Sequence, residues 1–185
     1  MIDLLKIIKL IDDEDLHFAR LLILLRVFST KSGTKEINSL TKLAKLDFLL
    51  RYPLLLVKAL KITERDSSKV SLEEYERHSI ESKMVRFKYG PWDFKYKKFL
   101  TLMFAKELIS IRTTNTSNFI GLTNKGLKIS DKLCNLEQYR NVVNRTKILK
   151  RYFDKSGNKL KNFIYNTFPE ILELKYGEEI SYEKL

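Results

Sequence analysis

Residues 108–126 read LISIRTTNTSNFIGLTNKG, and this stretch decides the fold class. The runs Leu108–Ile111 and Phe119–Leu122 are rich in strand-forming residues, and the segment between them is polar and turn-prone. Two such runs joined by a polar turn predict a β-hairpin with an exposed tip, which is the wing of a winged helix. Thr123 suits the N-cap of a following helix, because its hydroxyl can accept a hydrogen bond from a free backbone N–H. We therefore predict a wing at residues 108–122 and a helix after it.

The N-terminal region is predicted to hold three helices joined by short turns, within residues 13–61. Leu21–Leu25 is apolar on nearly every side, which is typical of a central buried helix. The acidic run Asp12–Asp15 is predicted to begin that helix, because carboxylates near a helix N-terminus oppose the helix dipole. Ser39 suits the cap of the second helix, and Pro53 suits the first turn of the third. This arrangement is the helical half of a helix-turn-helix fold.

Changes in composition divide the chain into four parts. They are an N-terminal helical, helix-turn-helix-like part at 1–62, a polar linker at 63–82, a winged-helix part at 83–136 and a C-terminal helical extension at 137–185. The third part also holds a predicted strand at Met84–Tyr89, a turn at Gly90-Pro91 and a helix at Phe94–Glu107. The extension carries two apolar stripes at helical spacing, separated by Ser156–Asn158. The predicted fold is therefore mainly α with a small β-hairpin: a winged helix-turn-helix core plus a C-terminal helical extension.

The charge balance favours a polyanionic partner. The chain of 185 residues carries 35 Lys and Arg against 23 Asp and Glu, which gives a formal net charge of +12. The partner of so basic a protein is most often nucleic acid. A basic surface that is merely solvated, or that binds an acidic protein, is an equally open interpretation, because net charge identifies no partner.

Few residues of the chain are suited to catalysis or metal binding. His17 and His78 are far apart in the sequence, and no Cys/His cluster has metal-ligand spacing. Cys134 is the single cysteine, and a lone cysteine on a helix is far more often a small core residue than a nucleophile. The sequence has neither a Gly-rich phosphate loop nor a nucleophile elbow. We predict that the protein is not an enzyme, has no catalytic or metal-binding residue and uses no cofactor; a nuclease is the enzyme class weighed and set aside.

The sequence also predicts a cytoplasmic protein. Asp3 and Lys6 interrupt the apolar residues at the start of the chain, so a signal peptide is not expected. The longest apolar stretch, Leu16–Phe28, contains Arg20 and Arg26 and is too short and too charged to span a bilayer. A single cysteine allows no internal disulfide, which fits a reducing compartment.

Two basic regions are candidates for contact with nucleic acid. In the first, lysines and arginines crowd around the aromatic side chains of residues 87–96, a mixture that suits phosphate binding and stacking, and Arg112 at the base of the wing extends it. The second lies on nearly one face of a helix in the C-terminal extension, which could meet DNA or an acidic coiled coil. The candidates are Lys83, Arg86, Lys88, Lys95, Lys97, Lys98, Arg112, Arg140, Lys147 and Arg151. Two interpretations compete with this one: Trp92 and Phe94 belong to the core while the lysines are solvated, or the acidic tail after residue 169 shields the basic face.

Two further strings carry a family resemblance. Residues 43–53 read LAKLDFLLRYP, and residues 84–93 read MVRFKYGPWD, ahead of the hairpin and of Leu122–Gly126. This pattern resembles the small middle component of bacterial ABC-three-component systems, a group that includes the LmuC subunit of Lamassu anti-phage defence. The resemblance covers roughly residues 15–135.

The resemblance implies a role in a complex. In such systems a large ATPase resembling structural-maintenance-of-chromosomes (SMC) or Rad50 proteins senses aberrant DNA, and a separate effector, often a nuclease, kills the cell or the phage. The middle component is then an accessory subunit that bridges or regulates the two, and double-stranded DNA is a further candidate partner. The residues to which the resemblance gives a structural or partner-binding role are Arg51, Tyr52, Pro53, Tyr89, Gly90, Pro91, Trp92 and Asp93. The alternative is a winged-helix transcription regulator, which would be a symmetric dimer with a specific operator.

Overall fold

The computed structural model describes residues 4–30, 33, 35–78, 80, 83–115 and 117–185, and for residues 4–13 it describes the main chain. The helices are α1 (Leu4–Phe28), α2 (Leu40–Arg51), α3 (Pro53–Ile62), α4 (Tyr96–Ala105), α5 (Asn124–Asn135), α6 (Arg140–Phe153) and α7 (Gly157–Thr167). The strands are β1 (Ile37–Asn38), β2 (Val85–Phe87), β3 (Gly90–Trp92), β4 (Ile109–Thr113) and β5 (Asn118–Leu122). The predicted class, mainly helical with a small antiparallel sheet, is confirmed. Thr116 at the predicted wing tip and residues 79, 81 and 82 of the predicted linker lie outside the described residues.

The first helix begins earlier than the sequence predicted. It runs from Leu4, so Asp12–Asp15 lie inside it, and the prediction that these acids begin the helix is wrong. The residues between Leu4 and Asp12 are Leu, Ile and Lys, which all sustain a helix, and no Gly or Pro interrupts them. Leu21–Leu25 is buried as predicted.

The next two helices begin where their capping residues predicted. The Ser39 hydroxyl accepts a hydrogen bond from the backbone N–H of Lys42 at 3.1 Å, which caps α2. Pro53 is the first residue of α3, where its missing N–H is not needed by the helix. Tyr52 is the one residue between the two helices. The sharp joint confirms the predicted restart at Pro53.

The predicted hairpin is present and belongs to a three-stranded sheet. β4 and β5 pair antiparallel, with Ile109 opposite Leu122 and Thr113 opposite Asn118. β1 pairs with the other edge of β5 through Ile37 and Asn38, so the strand order is β1–β5–β4. The sequence did not predict β1, because a strand of two residues has no periodicity to detect.

A second hairpin, β2–β3, replaces the single strand predicted at Met84–Tyr89. The chain turns at Lys88–Tyr89, and Gly90-Pro91 already belongs to the returning strand, so the turn predicted at Gly90-Pro91 is wrong. Gly90 has a φ of 101°, a conformation that residues with a Cβ rarely adopt, and this lets the chain return so tightly. The C-terminal tail lines the other edge of β2, where the Arg86 N–H donates to Glu178 O at 2.9 Å.

The core is built around α1 and α2. α1 packs against α4, α5 and α6, and α2 packs against α6 and α7, so the C-terminal helices share one core with the N-terminal ones. From Lys42 to Arg51 every side chain of α2 is buried. A charged side chain in such a helix must find its partners within the protein, because an unpaired buried charge is strongly unfavourable.

Candidate functional site

A buried polar network begins at Asp47 in the middle of α2. This fully buried carboxylate accepts hydrogen bonds from Arg20 Nε at 2.8 Å, from Arg51 Nε at 2.9 Å and from the Tyr96 hydroxyl at 2.7 Å. Arg20 lies on α1 and Tyr96 is the first residue of α4. Asp47 therefore ties three helices together at one point.

Arg51 extends this network to the second of the two family strings. Its Nη1 donates to Asp93 Oδ2 at 2.7 Å, and both side chains are almost fully buried. Asp93 Oδ1 in turn accepts from the backbone N–H of Lys95 at 2.8 Å, immediately before α4. The strings at 43–53 and 84–93 are thus joined by a buried ion pair, and Asp93 also positions the start of a helix.

The network shifts the pKa values of two of its members. Burial alone would raise the pKa of Asp47, but the guanidinium groups of Arg20 and Arg51 and the Tyr96 hydroxyl hold it well below its usual range. Burial raises the pKa of Tyr96, and the negative charge of Asp47 raises it further. At neutral pH Asp47 is therefore an ionised carboxylate that accepts a hydrogen bond from a neutral phenol.

Lys45 makes a second connection between the two strings. Its side chain is fully buried, and Nζ donates to the carbonyl oxygen of Pro91 at 2.8 Å. Gly90 packs against this side chain so closely that a Cβ on it would lie 2.9 Å from Lys45 Cε. Burial, with a smaller contribution from the positive charge of Lys161, lowers the pKa of Lys45 to about 7. Sequence reasoning overlooked Lys45 and Asp47, although charges inside an apolar helix are a signal of such pairing.

Most residues of the family strings hold the structure rather than face solvent. The Tyr52 hydroxyl donates to Ile180 O at 2.9 Å and accepts from the Met84 N–H at 2.7 Å, so it fastens the C-terminal tail and the start of β2 to the joint between α2 and α3. Of the eight residues to which the resemblance gives a role, Arg51, Tyr52, Pro53, Gly90, Pro91 and Asp93 are buried and Trp92 is half-buried. Tyr89, at the tip of the β2–β3 hairpin, is the exposed one of the eight.

The same hairpin presents an aromatic patch, which consists of Phe87, Tyr89 and Phe94. Their exposed fractions are 36%, 52% and 60%, large values for aromatic side chains. Phe87 contacts Phe94 edge-on, with ring centroids 5.2 Å apart, and lies 6.3 Å from the half-buried Trp92. Phe94 is therefore a surface residue, so the interpretation that places Phe94 in the core is wrong.

Several of the predicted nucleic-acid ligands have partners within the protein. The pairs are Lys83 with Glu179 at 3.5 Å, Lys98 with Glu14, Arg112 with Glu36 at 2.6 Å, and Arg140 with Glu137 at 2.5 Å. Arg86 lies over the Tyr176 ring, 4.3 Å from its centroid. Lys88, Lys95 and Lys97 are exposed around the β2–β3 hairpin and the start of α4. These internal contacts reduce the charge that the first basic region, and in the second region Arg140, offer to a phosphate backbone.

The structure brings Lys147 and Arg151 together at one groove, which we call the α6 groove. It lies between the end of α1, α5 and α6, has a volume of about 660 Å³, and is also lined by Arg26 and Lys150. Neither of these two cations was among the predicted site residues: Arg26 comes to the site only because the tertiary structure places α1 beside α6, whereas Lys150 lies on α6 itself and was overlooked. Burial raises the pKa of Cys134, which also lines the groove, so its thiol stays protonated.

The acidic tail does not cover this groove. Among the described residues its carboxylates pair elsewhere, in the contacts Glu170 with Lys58 at 3.8 Å, Glu178 with Lys184 at 2.7 Å and Glu179 with Lys83 at 3.5 Å. The expectation that the tail could shield the basic face of the extension is therefore wrong for α6.

The described residues contain neither a group of metal ligands nor a membrane-spanning helix. No group of three or more His, Cys, Asp or Glu side chains in this part of the chain is arranged to hold a metal ion. No helix in it is long and apolar enough to cross a membrane.

Comparison with known proteins gives one match. A family model described as ABC-three component (ABC-3C) system Middle Component 4 matches residues 28–162, a range that contains both family strings, the hairpin and α6. No curated protein and no solved structure matches the chain.

Proposed function

We propose that this chain, which belongs to the ABC-three-component (ABC-3C) system Middle Component 4 family, is a non-catalytic accessory subunit that bridges or regulates the other two components of such a system. The family match over residues 28–162 is the single observation that carries this proposal. The proposed partners are an SMC- or Rad50-like ATPase and an effector nuclease, in an anti-phage system of the Lamassu kind. Direct contact with double-stranded DNA is part of the same proposal.

The aromatic patch supports a protein-binding role. Aromatic side chains are enriched at protein interfaces and contribute much of the binding energy where they become fully buried. Phe87, Tyr89 and Phe94 lie exposed on or beside the hairpin whose returning strand β3 is held by Lys45 and is followed by the buried Arg51–Asp93 pair. The buried residues of the family strings would thus keep an exposed binding surface in shape. We assign the contact with the ATPase to this patch.

Co-expression with the neighbouring components tests the assignment. The chain should co-purify with the ATPase, and the double substitution Tyr89→Ala and Phe94→Ala should weaken that association about tenfold or more, because exposed aromatic anchors are lost. Phe104→Ala is the matched control, since Phe104 is 55% exposed but lies at the other end of α4. Failure of the unaltered chain to associate with either component would refute the proposed function. Equal association of the double variant and the control would refute the patch alone.

A winged-helix transcription regulator is a second candidate function, and the order of elements favours it. β1 lies between α1 and α2 and pairs with β5, and α4 immediately precedes the β4–β5 hairpin. This order agrees with the one expected of a winged helix if α4 is taken as its third helix and residues 53–95 as an insertion before it, and it supports this candidate. A regulator of this class would be a dimer that prefers one operator sequence. A monomeric mass in light scattering, with equal affinity for unrelated duplexes, would exclude it.

A further inference from the structure

The exposed positions of α6 form a single polar stripe. Within this helix the exposed residues are Arg140, Asn144, Lys147 and Arg151. Their spacing of three or four residues keeps them on one face, and the stripe extends over about 16 Å at a rise of 1.5 Å per residue. None of the four is apolar or aromatic, so this face lacks the apolar side chains that form the centre of most protein interfaces.

Two cations at the edge of the stripe are used to build the α6 groove. Lys150 Nζ donates to the carbonyl oxygens of Val27 at 2.6 Å and Ser29 at 3.3 Å, which lie at the C-terminal end of α1. Arg26 Nε pairs with Asp131 of α5 at 2.5 Å. These contacts fix the walls of the groove; Asp131, which also lines it, compensates the charge of Arg26, whereas Lys150 keeps its charge because its acceptors are neutral carbonyls.

Lys147 and Arg151 are the cations that the groove presents outward. Among the described residues neither has a carboxylate within ion-pair distance, and both line the groove and a smaller depression of about 130 Å³ beside it. Lys147 also lines a third depression, of about 220 Å³, toward Arg140. The depressions therefore follow one another along α6. Arg151 is held over the Tyr152 ring, 5.3 Å from its centroid, and is thus oriented before any ligand arrives.

We infer that the α6 stripe and groove bind the phosphate backbone of double-stranded DNA without sequence preference. Unpaired cations spaced along a helix match a ligand with regularly spaced negative charges. An acidic protein segment fits less well, because the centres of protein interfaces are apolar and depleted of lysine. This inference deepens the proposed function: it identifies the surface through which the subunit would contact DNA.

The number of available cations sets the expected strength of binding. With Lys147 and Arg151 in contact with phosphates, and Arg140 joining them once it leaves Glu137, log Kd should change with log salt concentration with a slope of roughly 2 to 3. Such a small number of contacts gives weak binding, with a Kd of roughly 10⁻⁵ M at physiological salt for the isolated chain. Strong DNA binding would then require the whole complex.

A charge-reversal pair measures the contribution of this surface. Fluorescence anisotropy with a duplex of about 30 base pairs should show binding by the unaltered chain, and Lys147→Glu with Arg151→Glu should weaken it about tenfold or more and reduce the salt slope by about 2. Lys128→Glu with Lys132→Glu is the matched control, since both lysines are exposed on α5, do not line the groove and change the net charge equally. The neutral pair Lys147→Gln with Arg151→Gln should give an intermediate loss, and thermal unfolding should be the same for all variants.

The remaining outcomes overturn the inference. Equal weakening by the groove variant and the α5 control would mean that only net charge matters. Unchanged DNA affinity combined with lost association with the ATPase would identify an acidic protein as the ligand of the stripe. Absence of DNA binding by the unaltered chain would also refute the inference, yet co-purification with the ATPase would still support the proposed function, so the two failures are distinguishable.

Discussion

The guanidinium of Arg51 donates to the carboxylate of Asp93 at 2.7 Å, between residues 42 positions apart in the sequence, where both side chains are nearly inaccessible to water. Each residue belongs to one of the two strings that carry the family resemblance, and each makes a second contact, since Arg51 also binds Asp47 and Asp93 also accepts a hydrogen bond from the backbone N–H of Lys95, immediately before α4. The pair therefore determines how the β2–β3 hairpin and its aromatic patch sit on the helical core.

Replacement of Asp93 tests this structural role. Asp93→Ala leaves Arg51 with less than its full set of acceptors in a buried site, and we expect the free energy of unfolding to fall by about 3 kcal/mol. Urea denaturation at pH 7 measures this free energy of unfolding. Asp66→Ala is the exposed control, and it should change the free energy of unfolding by less than about 0.5 kcal/mol. A loss no larger than that of the control would mean that Asp47 alone satisfies Arg51.

Lys45 should make the stability depend on pH in the alkaline range. Its pKa is lowered to about 7 in the folded protein from an ordinary value of 10.5, so between these values the unfolded chain binds more protons and stability rises with pH. The contribution of this one group to the slope is at most about 1.4 kcal/mol per pH unit.

Lys45→Met removes the titrating group and keeps most of the side-chain volume. We expect the variant to be more stable than the unaltered protein at pH 7 and to lose this slope, as measured by urea denaturation at pH 7, 8 and 9. Lys132→Met, at an exposed position of α5, should leave the slope unchanged. An equal slope in Lys45→Met and the unaltered protein would show that Lys45 does not titrate in this range.

Gly126 is a position where alanine should destabilise a helix. Gly→Ala within a helix normally gains about 1 kcal/mol, but a Cβ on Gly126 would lie 1.8 Å from the backbone oxygen of Leu108, which no side-chain rotation can relieve. We expect Gly126→Ala to lower the free energy of unfolding by about 2 kcal/mol or more. Lys128→Ala, exposed on the same helix, is the control, and a stabilised Gly126→Ala would contradict this close packing.

The Tyr52 hydroxyl should contribute measurably to stability. Tyr52→Phe leaves the Met84 N–H and the Ile180 carbonyl without their partner in a buried place, and each unsatisfied group is unfavourable by about 1–3 kcal/mol. Thermal and urea unfolding of Tyr52→Phe are compared with those of Tyr89→Phe, whose hydroxyl lies on an exposed side chain. Similar values for the two variants would imply that water replaces the lost hydroxyl.

Features that depend on short-range interactions were predicted correctly from the sequence, and features that depend on long-range contacts were not. Ser39, Pro53 and Thr123 act on backbone groups within three residues, and all three begin helices as predicted. The start of α1 was wrongly predicted at residues 12–15 because a helix start can be recognised in a sequence only where a helix-breaking residue such as Gly or Pro precedes it. The β2–β3 hairpin was mistaken for a single strand because its return depends on the conformation of Gly90 and its contact with Lys45.

The sequence by itself determined the helical class, the β4–β5 hairpin, the capped helix starts and, through its two strings, the family. These features depend on local backbone preferences and on side-chain patterns that are written in consecutive residues. Only the tertiary structure decided that most of the family strings are buried, that Asp47 and Lys45 bind them together, and that the cations of α6 form a groove with the end of α1. Such contacts join residues far apart in the chain, and their geometry exists only after the helices pack around a common core.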